Sequence, residues 1–188
     1  MNERMKELQK EIFEKQKELN KLKLEQAPEN IKNYDFQDKN GNNKSLKELF
    51  GGKDELLVIH NMGKSCVYCT MWADVLSGMY HIIKDRVNIV LTSPDDVATM
   101  KKFAENRKWN MPYYSYHGTD FSKDLGFAYD KENRRWFMPG VSALIIKDDK
   151  ILRTAYDFFG PGDMYCPPWQ LFELLPKGAN GWQPKYEY

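Results

Sequence analysis

Two of the three cysteines, Cys66 and Cys69, stand three positions apart in the stretch LLVIHNMGKSCVYCTMWAD. A C-x-x-C of this kind can be a dithiol–disulfide couple, half of a metal site, or two buried thiols. Its surroundings weigh on the choice. A continuous apolar run of strand length, ELLVIH, precedes the pair, and a run with helical spacing follows it. A helix starting at or just before Cys66 would point its free N–H groups and the positive end of its dipole at the sulfur, which favours a thiolate. Lys64, two residues earlier, adds positive charge. Cys69 lies one turn in, close enough to close a disulfide. In a redox couple Cys66 is then the accessible nucleophile, and Cys69 resolves the mixed disulfide.

The metal reading needs more ligands. A structural zinc takes four, and the chain has no second C-x-x-C and no H-x-x-x-H. The remaining soft candidates, Cys166, His60, His81 and His117, are scattered, so neither a metal nor an organic cofactor is expected. His60 closes the apolar run. It reads either as a group that moves a proton during thiol exchange or as a strand-end histidine satisfied by the backbone. Trp72 reads as a core or lid aromatic. Asp74 reads as a cap, an ion-pair partner or a solvated acid. Cys166, in GDMYCPPW, is a third thiol near a helix start, open to a redox role with Cys66 or to plain burial.

Elements that would position these groups follow from periodicity and punctuation. Met1, Met5, Leu8, Ile12, Lys15, Leu19 and Leu22 make a heptad-like stripe over a helix at 2–24, which either packs on its own domain or pairs two chains into a homodimer. Pro28 ends it. YDFQDKNGNN suggests a strand and a turn at Asn40-Gly41, and Ser45 with Glu48 a capping box. The helix after Cys66 is expected to bury Met71, Val75, Met79 and Ile82 and to end near Lys84. VNIVLTS is a second buried strand. Ser93-Pro94-Asp95-Asp96 marks a helix start, with Ser93 as cap, running to about Trp109. MPYYSYHG is a weak strand whose aromatics are core or a stacking surface. VSALIIKDDKILRTAYDF is a hairpin about Asp148-Asp149, followed by a helix from Pro167-Pro168 through WQLFELL and a polar, loosely held tail. The order is an α/β layer fold with a mixed sheet. It divides as a helical extension at 1–26, a domain at 30–178 and a tail at 179–188.

Charge sets further bounds. With 28 basic and 27 acidic side chains, the chain makes no electrostatic case for a nucleic-acid or anionic-membrane partner. MNERMKELQK lacks the apolar core of a secretory signal, and no run approaches the ~20 apolar residues of a membrane span. A cytoplasmic protein with reduced thiols is the expectation, and there a C-x-x-C points to catalysis or metal rather than a structural disulfide.

The collinear set ELNKLKLE, SLKELFGG, VIHNM, CVYCTMWAD, WNMPYYSYHGTDFSKDLGF, MPGVSALIIKDDKILRTAYDF and LFELLPKG resembles the thioredoxin-like superfamily. More narrowly it resembles the bacterial DUF899 family of predicted dithiol-disulfide oxidoreductases. The resemblance implies a thioredoxin-like three-layer α/β/α sandwich with a mixed sheet and an added N-terminal helix, with Cys66 and Cys69 as redox pair; it implies no known substrate, and thiol exchange at the pair sets the expectation of a protein or small-molecule disulfide or thiol. It also implies that a Gly140-Val141-Ser142 loop faces the pair. Two departures stand out. Thioredoxin folds usually carry a cis-proline directly before that strand, whereas Pro139 sits two or three residues early. Peroxiredoxins place a threonine three residues before their reactive cysteine, and this chain has Gly63. A non-catalytic scaffold of the same fold and a thiol peroxidase are the rival readings.

Overall fold

The structure is a computed structural model that describes residues 2–188. Met1, the first member of the apolar stripe, lies outside the described residues. In chain order the elements are α1 (Glu3–Glu25), β1 (Glu29–Ile31), β2 (Asp35–Gln37), β3 (Asn43–Ser45), a 3-10 turn (Glu48–Phe50), β4 (Glu55–His60), α2 (Val67–Arg86) and β5 (Asn88–Ser93). There follow α3 (Val97–Asn106), β6 (Tyr113–Ser115), α4 (Phe121–Asp124), β7 (Ala128–Lys131), β8 (Arg134–Phe137), β9 (Gly140–Lys147), β10 (Lys150–Phe158) and α5 (Pro167–Phe172).

Eight strands form one mixed sheet in the order β1-β10-β9-β4-β5-β6-β2-β3. The two β-α-β units run β4-α2-β5 and β5-α3-β6, and their strands pair in parallel. The late hairpin adds β9 antiparallel to the other side of β4. Its turn residues Asp148 and Asp149 both take positive φ, 49° and 63°, the backbone a two-residue hairpin turn requires. β4 is flanked by strands on both sides and covered on both faces, which is why it reads as an unbroken apolar run.

Each face of the sheet carries its own core. On one, Leu56, Val58, Val90 and Leu144 meet Phe36, Phe50, Phe121 and Phe127 from the short elements. On the other, Ile59, Ile89 and Leu91 meet Trp72 and Leu76 of α2, with Cys166 and Trp169. Asp74 joins the helices on this second face. It accepts from Arg107 Nε at 2.8 Å and Trp109 Nε1 at 2.7 Å, so it is an ion-pair partner.

Several local expectations are corrected. In α2 Met71 is buried and Val75 and Met79 pack on the core as expected, beside the buried Cys69, Trp72, Ala73 and Leu76, but Ile82 is exposed and Ile83 points inward in its place. The cap of α3 is Asp96, whose carboxylate accepts from the Thr99 N–H at 2.9 Å, and the helix ends at Asn106. Ser93-Pro94 belongs to the approach turn. The Ser45/Glu48 box forms reciprocally, with the Ser45 N–H donating to Glu48 at 2.8 Å and the Glu48 N–H to Ser45 Oγ at 3.3 Å, but it caps a single 3-10 turn. The C-terminal segment is polar yet held. Trp182 packs edge-on against Phe172 at 4.9 Å, and Arg107 donates to the Tyr186 carbonyl. β1 and the β7–β8 hairpin are additional to the expected elements.

Candidate active site

The site sits where β4 hands over to α2. Asn61, Met62 and Gly63 turn the chain, and the turn is an Asx turn: Asn61 Oδ1 accepts the Gly63 N–H at 2.7 Å. Asn61 Nδ2 donates to the Cys69 carbonyl. From the next strand-to-helix junction Asp95 reaches across, accepting the Lys64 N–H at 2.7 Å and the Ser93 hydroxyl at 3.2 Å. Gly63 has φ +94°, and a Cβ there would press on the Asp95 carboxylate at 2.9 Å. A threonine is therefore incompatible with this loop as built. The Asn-x-Gly spacing in HNMGK is the sequence signal for the Asn61 turn, whereas nothing local marks Asp95, part of the expected helix start, as its brace.

Cys66 is the N-cap of α2. It is joined to Cys69 in a disulfide with Cα atoms 5.2 Å apart, inside the normal range. The Cys69 N–H lies 3.1 Å from Cys66 Sγ, so the first turn of the helix directs a backbone donor at that sulfur. Cys66 is half-buried, whereas Cys69 is 2% exposed. The Lys64 side chain is exposed and its ammonium makes no ion pair among the described residues. A cleft of about 630 Å³ opens beside the loop, lined by Met62 and Ser65 on one side and by His117, Arg134 and Phe137 on the other.

The other expected residues are placed as follows. Trp72 is buried, its ring 5.4 Å from Phe159 and 6.3 Å from Tyr68, and its indole N–H has no partner. It is a wall behind the pair. Cys166 is fully buried and free, and burial, with Asp163 nearby, pushes its thiol up to about 12. At neutral pH it is a protonated core thiol. His60 lies on the opposite face of the sheet from α2. Its ring is stacked 3.8 Å from Phe127 and 5.4 Å from Phe121, and Nε2 lies 2.9 Å from Ser142 Oγ. Burial, with Arg153 adding to it, lowers its pKa from 6.5 to about 3. It is neutral at pH 7, with Nε2 bonded to a side chain rather than to backbone and Nδ1 without a partner among the described residues.

Gly140, Val141 and Ser142 are not a loop. They begin β9, paired with His60, Ile59 and Val58. Val141 joins the α2 face, and Ser142 turns to His60 on the other. The described backbone has no cis peptide. Gly140 is required for packing: a Cβ would overlap the Asp157 carbonyl and the Phe127 ring. Gly140→Ala is expected to cost roughly 1–3 kcal/mol, the usual penalty of overpacking, read as a lowered urea midpoint at unchanged m-value.

Comparison with known proteins decides the family. Residues 2–188 match the family described as "Bacterial protein of unknown function (DUF899)". The chain belongs to the DUF899 family. No functionally curated protein matches it. Among solved structures, this DUF899 protein is similar to a peroxiredoxin-like protein from Aquifex aeolicus (TM-score 0.58, 15% identity, covering 71% of this chain and 75% of that one). It is similar to the peroxidoxin BcpB from Mycobacterium tuberculosis (TM-score 0.54, 17% identity, 70% and 81% covered). It is also similar to the hypothetical protein SMc02350 from Sinorhizobium meliloti 1021 (TM-score 0.56, 13% identity, 85% and 78% covered). At these identities the likeness shows the fold, which is thioredoxin-like. Among the described residues no helix of the DUF899 chain is long and apolar enough to cross a membrane, and no three His, Cys, Asp or Glu side chains gather as a metal site.

Proposed function

We propose that the protein is a thiol-disulfide oxidoreductase that cycles Cys66 and Cys69 between dithiol and disulfide. The observation that carries this reading is the Cys66–Cys69 disulfide at the first turn of α2, with the more accessible sulfur facing a backbone N–H. In the reduced protein that N–H and the helix end favour the Cys66 thiolate. The thiolate attacks one sulfur of a substrate disulfide, forms a mixed disulfide and expels the other half as a thiolate. Cys69, deprotonated in turn, attacks Cys66 Sγ, closes the internal disulfide and releases the second thiolate. The substrate gains the two electrons that the cysteine pair loses, and an external dithiol must return them. The cleft beside Met62 and Ser65 is where a protein or small-molecule disulfide would approach. Such a cycle suits the cytoplasm, where thiol reductants are supplied. The Gly63 backbone argues against the peroxidase reading, since it holds the position of the peroxiredoxin threonine without a side chain.

The test is the redox midpoint of the pair. Equilibration in graded thiol-disulfide buffers, alkylation and peptide mapping should show a reversible Cys66–Cys69 disulfide that titrates as a two-electron couple in the range of thioredoxin-like proteins, from about −270 to −120 mV. A pair that stays oxidised below about −300 mV would be a structural staple and would end the catalytic reading.

A further inference from the structure

α1 is a helix of 23 residues with none buried. Its apolar side chains stand in solvent, Met5 at 52%, Ile12 at 66% and Leu22 at 53% exposure. Gln16 and Lys23 alone on this helix are partly covered, and Lys23 is tied to Asp157 of β10 at 2.5 Å. The helix is thus moored near its C-terminal end, with its apolar line beside the mooring rather than under it. Soluble chains rarely leave such a stripe without a partner.

At the mooring lies an apolar groove of about 400 Å³. Asn20 and Lys23 of α1 form its rim, Leu76, Met79 and Ile83 of α2 one wall, and Ala143 and Ala155 its floor. Those two alanines are register partners on β9 and β10. The floor is low because both side chains are small. It is open because α2 lies over β5, while the C-terminal helix α5 has only six residues. An apolar helix without a seat and an apolar seat without a helix therefore adjoin on one chain, at the same residues.

We propose that α1 of a second copy packs along α1 and closes over this groove, giving a two-fold dimer in which the helices run antiparallel through their Met5–Leu22 stripes and the N-terminal turn of each covers the groove of the other chain. Such a contact is self-complementary, as two-fold symmetry demands. Charge fits the antiparallel sense. Arg4 and Glu18 flank the stripe on the same side, so an antiparallel partner brings Arg4 of each copy to Glu18 of the other, in addition to the pairs each makes within its own helix, Arg4 with Glu7 at 3.1 Å and Glu18 with Lys15 at 2.7 Å. Glu11 meets its own copy near the axis, with Arg4 of its own helix 3.5 Å away to offset the repulsion, while Lys15, the one polar member of the stripe, is paired with Glu18 at 2.7 Å. Area requires the groove as well as the helices. Two helices ~35 Å long, touching along a strip ~10 Å wide, bury on the order of 700 Å² in total, short of the ~1,200 Å² of a stable interface. The groove supplies the remainder.

Sedimentation equilibrium of the full chain tests this. The wild type should sediment at twice its 22.2 kDa chain mass. Ile12→Glu/Leu19→Glu, on exposed positions, should weaken association at least 100-fold. Ala155→Phe, which raises the groove floor with an apolar ring, should weaken it at least tenfold. Circular dichroism and the Cys66–Cys69 midpoint should be unchanged in both. A monomeric wild type at 100 µM would overturn the proposal and leave the groove to a small apolar ligand. A dimer that survives the helix variant, or one indifferent to Ala155→Phe, would overturn it equally.

Discussion

Cys66→Ser is expected to reduce turnover of a model disulfide to the rate of the uncatalysed exchange, and Cys69→Ser to stall the protein as a mixed disulfide on Cys66, one per chain. The two serines differ because the two sulfurs differ in position. Cys66 is half-buried at the mouth of α2, and Cys69 is closed in one turn behind it. Only Cys66 can meet an incoming disulfide in line, and only Cys69 is placed to attack Cys66 from within. After reduction, a limiting dose of iodoacetamide should therefore label Cys66 well before Cys69, and Cys166 not at all, because its thiol is buried and held protonated. Labelling across pH gives the thiolate fraction of Cys66, expected to titrate below the ~8.5 of a free cysteine. Intact mass after exposure to a labelled disulfide reads the trapped adduct. Turnover by the double serine variant equal to wild type would remove the pair from the mechanism. A Cys66 thiol titrating at the free value, without turnover, would favour a scaffold instead.

Much of this site was legible because its signals are local. ELLVIH is apolar on both faces, and that pattern needs only a strand buried on both sides. The C-x-x-C after it needs only a helix start. The Asp148-Asp149 turn is bracketed by β-branched runs and tolerates positive φ. What escaped notice depends on partners distant in the chain. β7 and β8, AYDK and RRWF, hardly alternate, because most of their residues face water. The hairpin rests on Glu132 and Asn133 at positive φ and on cross-strand Tyr129 and Trp136. Both faces of α2 carry apolar side chains, so spacing alone could not choose between Ile82 and Ile83; the sheet chose. Asp95 looked like a first-turn acid of α3, and its use as a brace for the Lys64 backbone exists only once β4 and β5 lie side by side. The same holds for His60. By type it was a proton carrier, but parity along β4 sends it to the face away from the cysteines, among Phe121 and Phe127.

That placement makes His60 the chief acid-labile point of the fold. Its pKa is 6.5 as a free side chain and about 3 in the native protein. The unfolded chain therefore binds a proton below pH 6.5 that the folded chain refuses. The stabilisation is complete above 6.5 and is lost as pH falls through the window toward 3. The slope is about 1.4 kcal/mol per pH unit, so roughly 3 kcal/mol is lost by pH 4 from this residue. The causes are physical and local. The ring is 1% exposed between two phenylalanines, its Nδ1 has no partner, and the buried Arg153 guanidinium repels a second positive charge. Arg153 is itself committed, donating to the Leu125 carbonyl at 2.6 Å and to Glu29, so it cannot move aside without leaving a buried charge unpaired. Urea unfolding measured from pH 7 to pH 4 should show the steep loss. His60→Phe with Ser142→Ala removes both hydrogen-bonding partners together and keeps the aromatic stack, which avoids stranding a buried hydroxyl. In that variant the slope between pH 6.5 and pH 4 should fall by about 1.4 kcal/mol per unit, while the Cys66–Cys69 midpoint at pH 7 stays where it was. An unchanged slope would mean that His60 takes its proton inside the fold, and a shifted midpoint would return it to the redox chemistry.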